Sequence, residues 1–501
     1  MGVRSIPAAL DRAARHWPDG MAIEDGEVRL TWLQLREQAH QAARALVRRG
    51  IEPGDRVAIW APNTWEWVVV GLGIHCAGAA IVTLNTRYKG HEARYILDRS
   101  GSKMLFTVDG FLGLDFARML ERPELPTVCF RTSAFGDFMA EGLEDVRLPE
   151  VPPEAIADIL FTSGTTGAPK GAMCTQEQAV RAYTSWSEVV GLRAEDRYLI
   201  IAPFFHAFGY KAGWLACVLT GATMLPQATF DLDAVLQRIA RDRVSMLPGP
   251  PAIYQTFLLR EDLQQHDLSS LRLAVTGAAA IPVKLIEDMR EVLGFDTVIT
   301  GYGLTEACGI ATMCRFDDDP QTIATTSGRA IDGVEVRCVD ADGTEVARGE
   351  PGHVLVRGYN IMKGYFGDPE RTAETVVDGW LHTGDIGVMD ERGYLRITDR
   401  LKDMFIVGGF NAYPAEIEHM VLEHPSVAEV AVIGVPDARL GEVAMAFVVP
   451  KGDLDELQLI EWCRERMANF KVPRSVRFVE ALPRNASTKV MKFELRKLLD
   501  A

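Results

Sequence analysis

Two widely separated segments carry residue types that suit chemistry on a phosphorylated substrate. Residues 161–171 form a loop rich in glycine and hydroxyl side chains, directly after the apolar run 156–161. Glycine lets a backbone approach phosphate oxygens closely, and hydroxyl groups can donate hydrogen bonds to them. Lys489 stands in the otherwise uncharged stretch 485–490, and an ammonium group between a carboxylate and a phosphate stabilises the charge that develops as they react. Together the two segments indicate activation of a carboxylic acid by ATP.

The loop is the predicted phosphate cradle. It is not a Walker A loop, because Pro169 stands between Gly167 and Lys170. A lone loop of this composition is more often a surface turn, but the length of the pattern here favours a nucleotide site. Its candidate ligands are Thr162, Ser163, Gly164, Thr165, Thr166, Gly167 and Lys170.

Composition and charge exclude several other classes of function. The chain has 501 residues and a net charge of -16, which argues against nucleic acid or an anionic membrane surface as a partner. The eight cysteines are scattered without a Cys-x-x-Cys pair, so we expect reduced thiols in the cytoplasm rather than a metal cluster. Charged residues interrupt residues 1–23, so no apolar signal core is present. The apolar run 67–84 contains three glycines, and we interpret it as a buried helix and strand rather than a membrane span.

The order of helices and strands predicts an α/β fold. Thr31 and Gln34 form a capping-box pattern, and helical and strand patterns then alternate as far as residue 300, as in parallel sheets covered by helices. After about Asp317, short strands and turns indicate a β-rich subdomain, a distorted barrel. A compact α+β pattern follows Lys402, and it includes a predicted helix at 414–422 and a predicted strand at 428–434. We therefore predict a large N-terminal domain at 1–401, with two parallel α/β subdomains and the barrel, and a small C-terminal domain at 402–501.

Further motifs extend the pattern that begins with the loop. The sequence as a whole resembles the adenylate-forming superfamily, which includes acyl-CoA synthetases, peptide-synthetase adenylation domains and firefly-type luciferases. Besides the loop and Lys489, the resemblance rests on residues 204–209, 276–279, 302–306, 379–385, 399–403 and 408–416. It spans nearly the whole chain, and it implies ATP, Mg²⁺ and coenzyme A as ligands.

The resemblance assigns roles in binding the nucleotide and the metal ion. It implies that Tyr302 stacks on adenine, Asp385 binds the ribose hydroxyls, and Arg400 contacts ribose or phosphate. Thr165 and Glu306 are the implied Mg²⁺ ligands, and a carboxylate is a hard oxygen ligand of the kind this ion prefers. The implied catalytic residues are Lys489, Thr305, Glu306 and His206. The remaining implied nucleotide contacts are Gly277, Ala278, Ala279, Gly301, Gly303 and Ile397.

The resemblance also places the acyl chain, coenzyme A and a hinge. Lys402 is the implied hinge of a mobile C-terminal domain, and Gly408, Gly409 and Phe410 are the implied coenzyme A contacts. Lys211 could meet a ketone of the substrate or extend to solvent. The implied acyl pocket consists of His206, Phe208, Tyr210, Lys211, Pro250, Gly277 and Cys308.

The sequence departs from the family pattern at two positions. Thr488 precedes the catalytic lysine where glycine is usual, and Gln176 stands where histidine often follows the loop. Neither change removes a charge that the mechanism needs, although Thr488 could slow the loop that delivers Lys489.

The expected reaction is a two-step ligation. A carboxylate attacks the α-phosphate of MgATP to give an acyl-adenylate and pyrophosphate, and the thiol of coenzyme A then displaces AMP. Residues 203–213, 247–255 and 482–485 resemble actinobacterial ligases that act on a methyl-hexahydroindanedione propanoic acid, the bicyclic acid left by sterol ring degradation.

Other readings stay open. Medium-chain fatty acids and aryl acids are alternative substrates. A stand-alone adenylation enzyme with another acceptor is an alternative function. No feature of the sequence demands a luciferase-like oxygenase, and the presence of Glu306 and Lys489 argues against a nucleotide-binding regulator. The sequence does not determine the oligomeric state, and a homodimer is one expectation.

Overall fold

The chain divides into two compact units. The computed structural model describes residues 2–120, 122, 124–163, 169–277, 281, 283–340, 342–400, 405–412, 414–483, 490 and 492–499. The first unit comprises Met1–Thr86, Leu97–Leu160 and Gly171–Thr398, and the second comprises Arg87–Ile96, Phe161–Lys170 and Asp399–Ala501. The domain division at Lys402 stays a prediction, because the second unit includes two earlier segments and Lys402 lies outside the described residues.

A largely parallel sheet forms one half of the first unit. The strand Arg56–Trp60 pairs in parallel with both of its neighbours, Ala80–Thr83 and Met104–Thr107. Every residue of Ala80–Thr83 is buried, as expected for a strand covered on both faces. In order across the sheet, the described strands are Gly364–Tyr365, Pro169–Thr175, Ile156–Ser163, Ala80–Thr83, Arg56–Trp60, Met104–Thr107 and Thr127–Cys129.

A second set of strands confirms the other predicted α/β subdomain. The strands Leu273–Thr276 and Thr297–Tyr302 are parallel neighbours. Met246 forms single bridges to Leu273 on one side and to Tyr198, in the strand Arg197–Ile200, on the other. These strands form two four-stranded sheets. The strand order in the first is Arg197–Ile200, Thr223–Pro226, Met21–Asp25 and Val28–Thr31. The strand order in the second is Leu273–Thr276, Thr297–Tyr302, Thr312–Met313 and Arg329–Ala330. A small hairpin joins Asp109–Phe111 to Leu114–Asp115.

The β-rich region after residue 317 is an antiparallel sheet that corresponds to half of a barrel. Its strands follow the order Val334–Val339, Pro351–Gly358, Trp380–Met389 and Val376–Val377, and Leu395–Arg400 also pairs with Trp380–Met389. This sheet carries Asp385 on its long central strand.

Helices cover the sheets of the first unit. Thr31 caps the helix Trp32–Arg48 and forms the predicted capping box with Gln34. The apolar run 67–84 is the helix Trp65–Cys76 followed by the strand Ala80–Thr83, as predicted. The other helices are Ile6–His16, Gly90–Ser100 (which begins in the second unit), Phe116–Leu120, Ser133–Glu141, Gln176–Val190, Ala207–Gly209, Ala216–Thr220, Leu232–Asp242, Pro251–Leu258, Val283–Glu291, Pro320–Thr325 and Pro369–Thr375. Within the described part of the chain, no helix is long and apolar enough to cross a membrane.

The second unit has the predicted α+β pattern. Val427–Asp437 and Gly441–Pro450 form a long antiparallel pair, and Ser475–Phe478 adds to Gly441–Pro450 in parallel. Phe405–Val407 and Phe410–Ala412 form a hairpin whose turn is Gly408 and Gly409. Both glycines have positive φ, which a two-residue hairpin turn of this kind requires. The helices are Pro414–Leu422, Glu456–Arg466 and Lys492–Lys497.

Candidate active site

Two glycines close the predicted adenine-binding turn of the first unit. A Cβ atom added to Gly303 would lie 2.2 Å from the carbonyl oxygen of Gly309, so no side chain fits there. Gly309 has a φ of +97°, and a Cβ atom there would lie 2.4 Å from the hydroxyl of Tyr183. The turn folds back tightly after the strand Thr297–Tyr302, and this close approach fixes the positions of Thr305 and Glu306 in between.

Tyr302 is held by the predicted ribose-binding carboxylate. Its hydroxyl donates a hydrogen bond of 2.5 Å to Oδ2 of Asp385, whose own exposure is only 6%. Tyr302 is the last residue of the strand Thr297–Tyr302, and Asp385 belongs to the half-barrel sheet. Their hydrogen bond therefore brings together two motifs that are far apart in sequence. In this arrangement the tyrosine ring can stack on a base, and the carboxylate oxygens can accept hydrogen bonds from a sugar.

Glu306 is anchored through both its side chain and its backbone. The hydroxyl of Tyr365 donates to Oε1 of Glu306 at 2.8 Å, and the backbone N–H of Met362 donates to the carbonyl of Glu306 at 2.8 Å. The buried amide of Asn360 donates to the carbonyl of Ile310 at 2.7 Å, which holds the end of the same turn. The carboxylate keeps lone pairs for a cation, so its chemistry and its fixed position fit a Mg²⁺ ligand.

The glycines at the ends of two parallel strands lie side by side. Thr276 pairs with Thr300, so Gly277 and Gly301 follow at matching positions beyond that pair. The crevice at the carboxyl ends of parallel strands is where α/β sheets usually bind ligands. Ala278 and Ala279, the neighbours of Gly277, lie outside the described residues.

Lys211 forms a buried ion pair that the sequence did not reveal. Its Nζ lies 3.0 Å from Oδ1 of Asp158, and the two side chains are 1% and 0% exposed. Burial opposes the charge of Lys211, but Asp158, the two neighbouring thiols and the Tyr210 hydroxyl together outweigh it and hold the pKa of the ammonium well above its usual value. The Nζ atom also lies 3.5 Å from Sγ of Cys308. The alternative in which Lys211 extends to solvent is therefore wrong.

A chain of buried polar groups continues from this ion pair. Tyr210 and Lys211 lie on a short π-helical turn, Tyr210–Leu215, a local distortion that is frequent at functional sites. The hydroxyl of Tyr210 lies 2.8 Å from Nε2 of His75, and Nδ1 of His75 accepts a hydrogen bond from Nε2 of Gln176 at 3.2 Å. Burial, with a smaller contribution from the Lys211 charge, lowers the pKa of His75 to about 3, so its imidazole is neutral. Gln176 is thus a fully buried partner in a neutral network.

The remaining acyl-pocket residues of the prediction are less enclosed. His206 is exposed and caps the helix Ala207–Gly209, with its Nδ1 atom 3.4 Å from the backbone nitrogen of Phe208. Phe208 and Pro250 are half-buried, and Pro250 precedes the helix Pro251–Leu258. The structure brings together Tyr210, Lys211 and Cys308, whereas the contacts of His206 are local.

The second unit carries other predicted residues. Thr162 and Ser163 end the strand Ile156–Ser163, and Lys170 lies in the strand Pro169–Thr175. The ring of Phe410 stacks on Phe470, with centroids 4.9 Å apart. Lys489, Lys402 and residues 164–168 lie outside the described part, as do the side chains of Ser163 and Arg400. Ile397 is half-buried in the strand Leu395–Arg400 of the half-barrel sheet.

We expect the substitution Tyr302→Phe to raise the KM for ATP by about tenfold, because a hydrogen bond to a charged group contributes roughly 1.5–3 kcal/mol. Without this hydrogen bond, the Asp385 carboxylate is held less firmly in its position for the nucleotide. Steady-state kinetics with varied ATP measure the effect. Tyr394→Phe is the matched control, since its hydroxyl donates to Oδ1 of Asp318 at 2.7 Å elsewhere in the same unit. Equal KM values for the two variants would contradict the prediction.

Comparison with known proteins finds similar sequences and structures over nearly the whole chain. Residues 10–366 match the AMP-binding enzyme family, and residues 416–489 match the AMP-binding enzyme C-terminal domain. A methyl-dioxo-octahydro-indenyl-propanoyl:CoA ligase of Mycobacterium tuberculosis is 52% identical over 512 residues, covering 99% of both chains. A ligase of the same description from Rhodococcus jostii is 50% identical, covering 98% of both. Among solved structures, an o-succinylbenzoate CoA synthetase of Bacillus subtilis bound to a product analogue has a TM-score of 0.85 and 30% identity, covering 98% of both chains.

Proposed function

Because the chain belongs to the family of AMP-binding enzymes and is an AMP-forming acyl-CoA synthetase, we propose a two-step reaction on a bicyclic propanoate. The observation that carries the proposal is the turn at residues 302–309, which fixes Tyr302 against Asp385 and Glu306 against Tyr365. These groups present a stacking ring, a sugar acceptor and a metal-binding carboxylate on one short segment. That combination suits a magnesium nucleotide.

In the first step, the chain positions ATP and the acid so that the carboxylate can attack the α-phosphate. Tyr302 orients Asp385 toward the ribose hydroxyls, and the hydroxyl groups of the 162–166 segment receive the phosphates. Mg²⁺ bound by Glu306 and Thr165 would neutralise phosphate charge. Lys489 stabilises the negative charge that accumulates between the two anions. The products are an acyl-adenylate and pyrophosphate.

In the second step, the C-terminal domain rotates about Lys402 and withdraws Lys489. The hairpin turn of Gly408 and Gly409, with Phe410 beside it, then receives the pantetheine arm of coenzyme A. Its thiol attacks the acyl-adenylate and AMP leaves. Motion of this kind separates two steps that need different groups at one site.

The proposed acid is the methyl-hexahydroindanedione propanoate, a diketone. Support comes from relatives that are 52% and 50% identical over nearly the whole chain and that act on an acid of this description. The cysteines of the described chain are all free, which supports work in a reducing compartment such as the cytoplasm. A homodimer stays a prediction.

A panel of acids tests both the chemistry and the substrate. ATP–pyrophosphate exchange and coenzyme A-dependent release of AMP are measured with the bicyclic acid, octanoate and benzoate. We expect kcat/KM for the bicyclic acid to exceed the others by at least about a hundredfold, since a rigid site rejects shapes that leave its groups unpaired. Preference for octanoate or benzoate would overturn the proposed substrate, and exchange without thioester formation would indicate another acceptor.

A further inference from the structure

Two thiols meet beside the buried ion pair of the first unit. The Sγ atoms of Cys174 and Cys308 lie 2.7 Å apart, and the two residues are only 3% and 1% exposed. Cys174 belongs to the strand Pro169–Thr175, and Cys308 directly follows the turn Thr305–Ala307. The two segments are distant in sequence, so the pairing arises from the fold. None of the reaction steps derived above uses either sulfur atom.

The surroundings of the two sulfur atoms differ. Burial and the neighbouring Cys308 raise the pKa of Cys174 well above its usual value. The Lys211 ammonium lies within 3.5 Å of Sγ of Cys308. Cys308 is therefore the sulfur beside the positive charge, and Cys174 lies within bonding reach of it.

We propose that Cys174 and Cys308 are an oxidation site, at which a small peroxide forms a reversible disulfide that inactivates the enzyme. The sulfur of Cys308 attacks one oxygen of hydrogen peroxide, the O–O bond breaks, and the thiol proton joins the departing hydroxide, so that the products are Cys308 sulfenic acid and water. The Cys174 thiol then attacks the sulfenic sulfur, the S–S bond forms, and the S–O bond breaks with release of a second water. Two thiols lose two electrons in total, and the peroxide gains them.

The connected strands explain why this bond would affect the reaction. The strand of Cys174 pairs with Gly364–Tyr365, and Tyr365 holds the carboxylate of Glu306. Cys308 lies two residues after Glu306 on the same turn. A disulfide would add a covalent bond between the strand and the turn that these hydrogen bonds already connect. A disulfide bond of about 2.0 Å would pull the turn out of the position in which Tyr365 holds Glu306, and the carboxylate would then be misplaced for the magnesium nucleotide.

The test uses the full-length protein with Cys129→Ser as background, because Cys129 is the one cysteine of the eight that is not buried. After treatment with hydrogen peroxide, free thiols are alkylated and the protein is digested without reduction. We expect a cross-linked peptide that contains Cys174 and Cys308, a fall of at least tenfold in ATP–pyrophosphate exchange as it accumulates, and reversal of both by dithiothreitol. The exchange rate rests on the proposed function, whereas the cross-link is read by mass alone.

Two variants make the result specific. Cys174→Ala is expected to keep the exchange rate of the untreated protein, to form no disulfide, and to yield a Cys308 sulfenic acid that dimedone traps. Cys217→Ser removes another fully buried cysteine of the same unit and should leave the cross-link unchanged. Absence of the cross-linked peptide would overturn the proposal, as would an unchanged exchange rate in fully cross-linked protein. If Cys174→Ala fails to fold, the presence or absence of the cross-linked peptide in the Cys129→Ser protein still tests the proposal.

Discussion

Replacement of Lys489 by alanine is expected to lower the rate of acyl-adenylate formation by roughly a hundredfold to a thousandfold, the range seen when one charge-stabilising donor is removed. The reacting carboxylate and α-phosphate are both anions, so the barrier to their approach is largely electrostatic. A single ammonium group lowers that barrier in the transition state more than in the ground state. The KM for the acid should therefore change much less than kcat.

The second half-reaction should respond differently to the same substitution. In the proposed cycle Lys489 leaves the site before the thiol attacks, so thioester formation from supplied acyl-adenylate should stay within about twofold of the unmodified enzyme. Single-turnover assays of each half-reaction measure the two rates separately. Lys497→Ala is the matched control, because Lys497 follows Lys489 by eight residues in the sequence, belongs to the helix Lys492–Lys497 and has a side chain that is 65% exposed. Equal losses in both half-reactions would contradict the proposed division of roles.

Elements governed by local patterns could be predicted from the sequence. The helix expected at 414–422 is Pro414–Leu422, and the strand expected at 428–434 is the core of Val427–Asp437. The capping box of Thr31 also forms as predicted. In each case neighbours within a few residues determine the outcome: a proline at a helix start, alternating or continuous apolar residues, or a hydroxyl that caps a helix.

Contacts between side chains that are distant in sequence could not be predicted from such local patterns. Tyr365 lies in no motif of the sequence, yet it holds Glu306. Asp158 offered one usable signal, since a charged residue inside the apolar strand Ile156–Ser163 requires a buried partner. The sequence does not show which cation that partner is, because the π-helical turn that directs Lys211 inward depends on tertiary packing.

We expect the buried ion pair of Lys211 and Asp158 to contribute strongly to the free energy of unfolding. Lys211→Met should destabilise the protein by about 3–5 kcal/mol, because removal of one partner leaves a buried carboxylate without its counter-charge. Asp158 is fully enclosed, so water cannot replace the ammonium group. Urea unfolding, followed by circular dichroism, measures the free energy of unfolding. Lys284→Met is the matched control, since Lys284 is 68% exposed and its pair with Asp288 should contribute about 0.5 kcal/mol or less.

The double substitution Lys211→Met with Asp158→Leu separates stability from recognition of the substrate. Removing both charges should restore most of the lost free energy of unfolding, since apolar replacements of a buried ion pair are often neutral or stabilising. A double variant as unstable as Lys211→Met would contradict the ion-pair explanation. If the ammonium also contacts a ketone of the bicyclic acid, the refolded double variant should show a raised KM for that acid but not for octanoate. An unchanged KM for both acids would assign Lys211 a purely structural role, as the charge that allows Asp158 to lie in a buried strand.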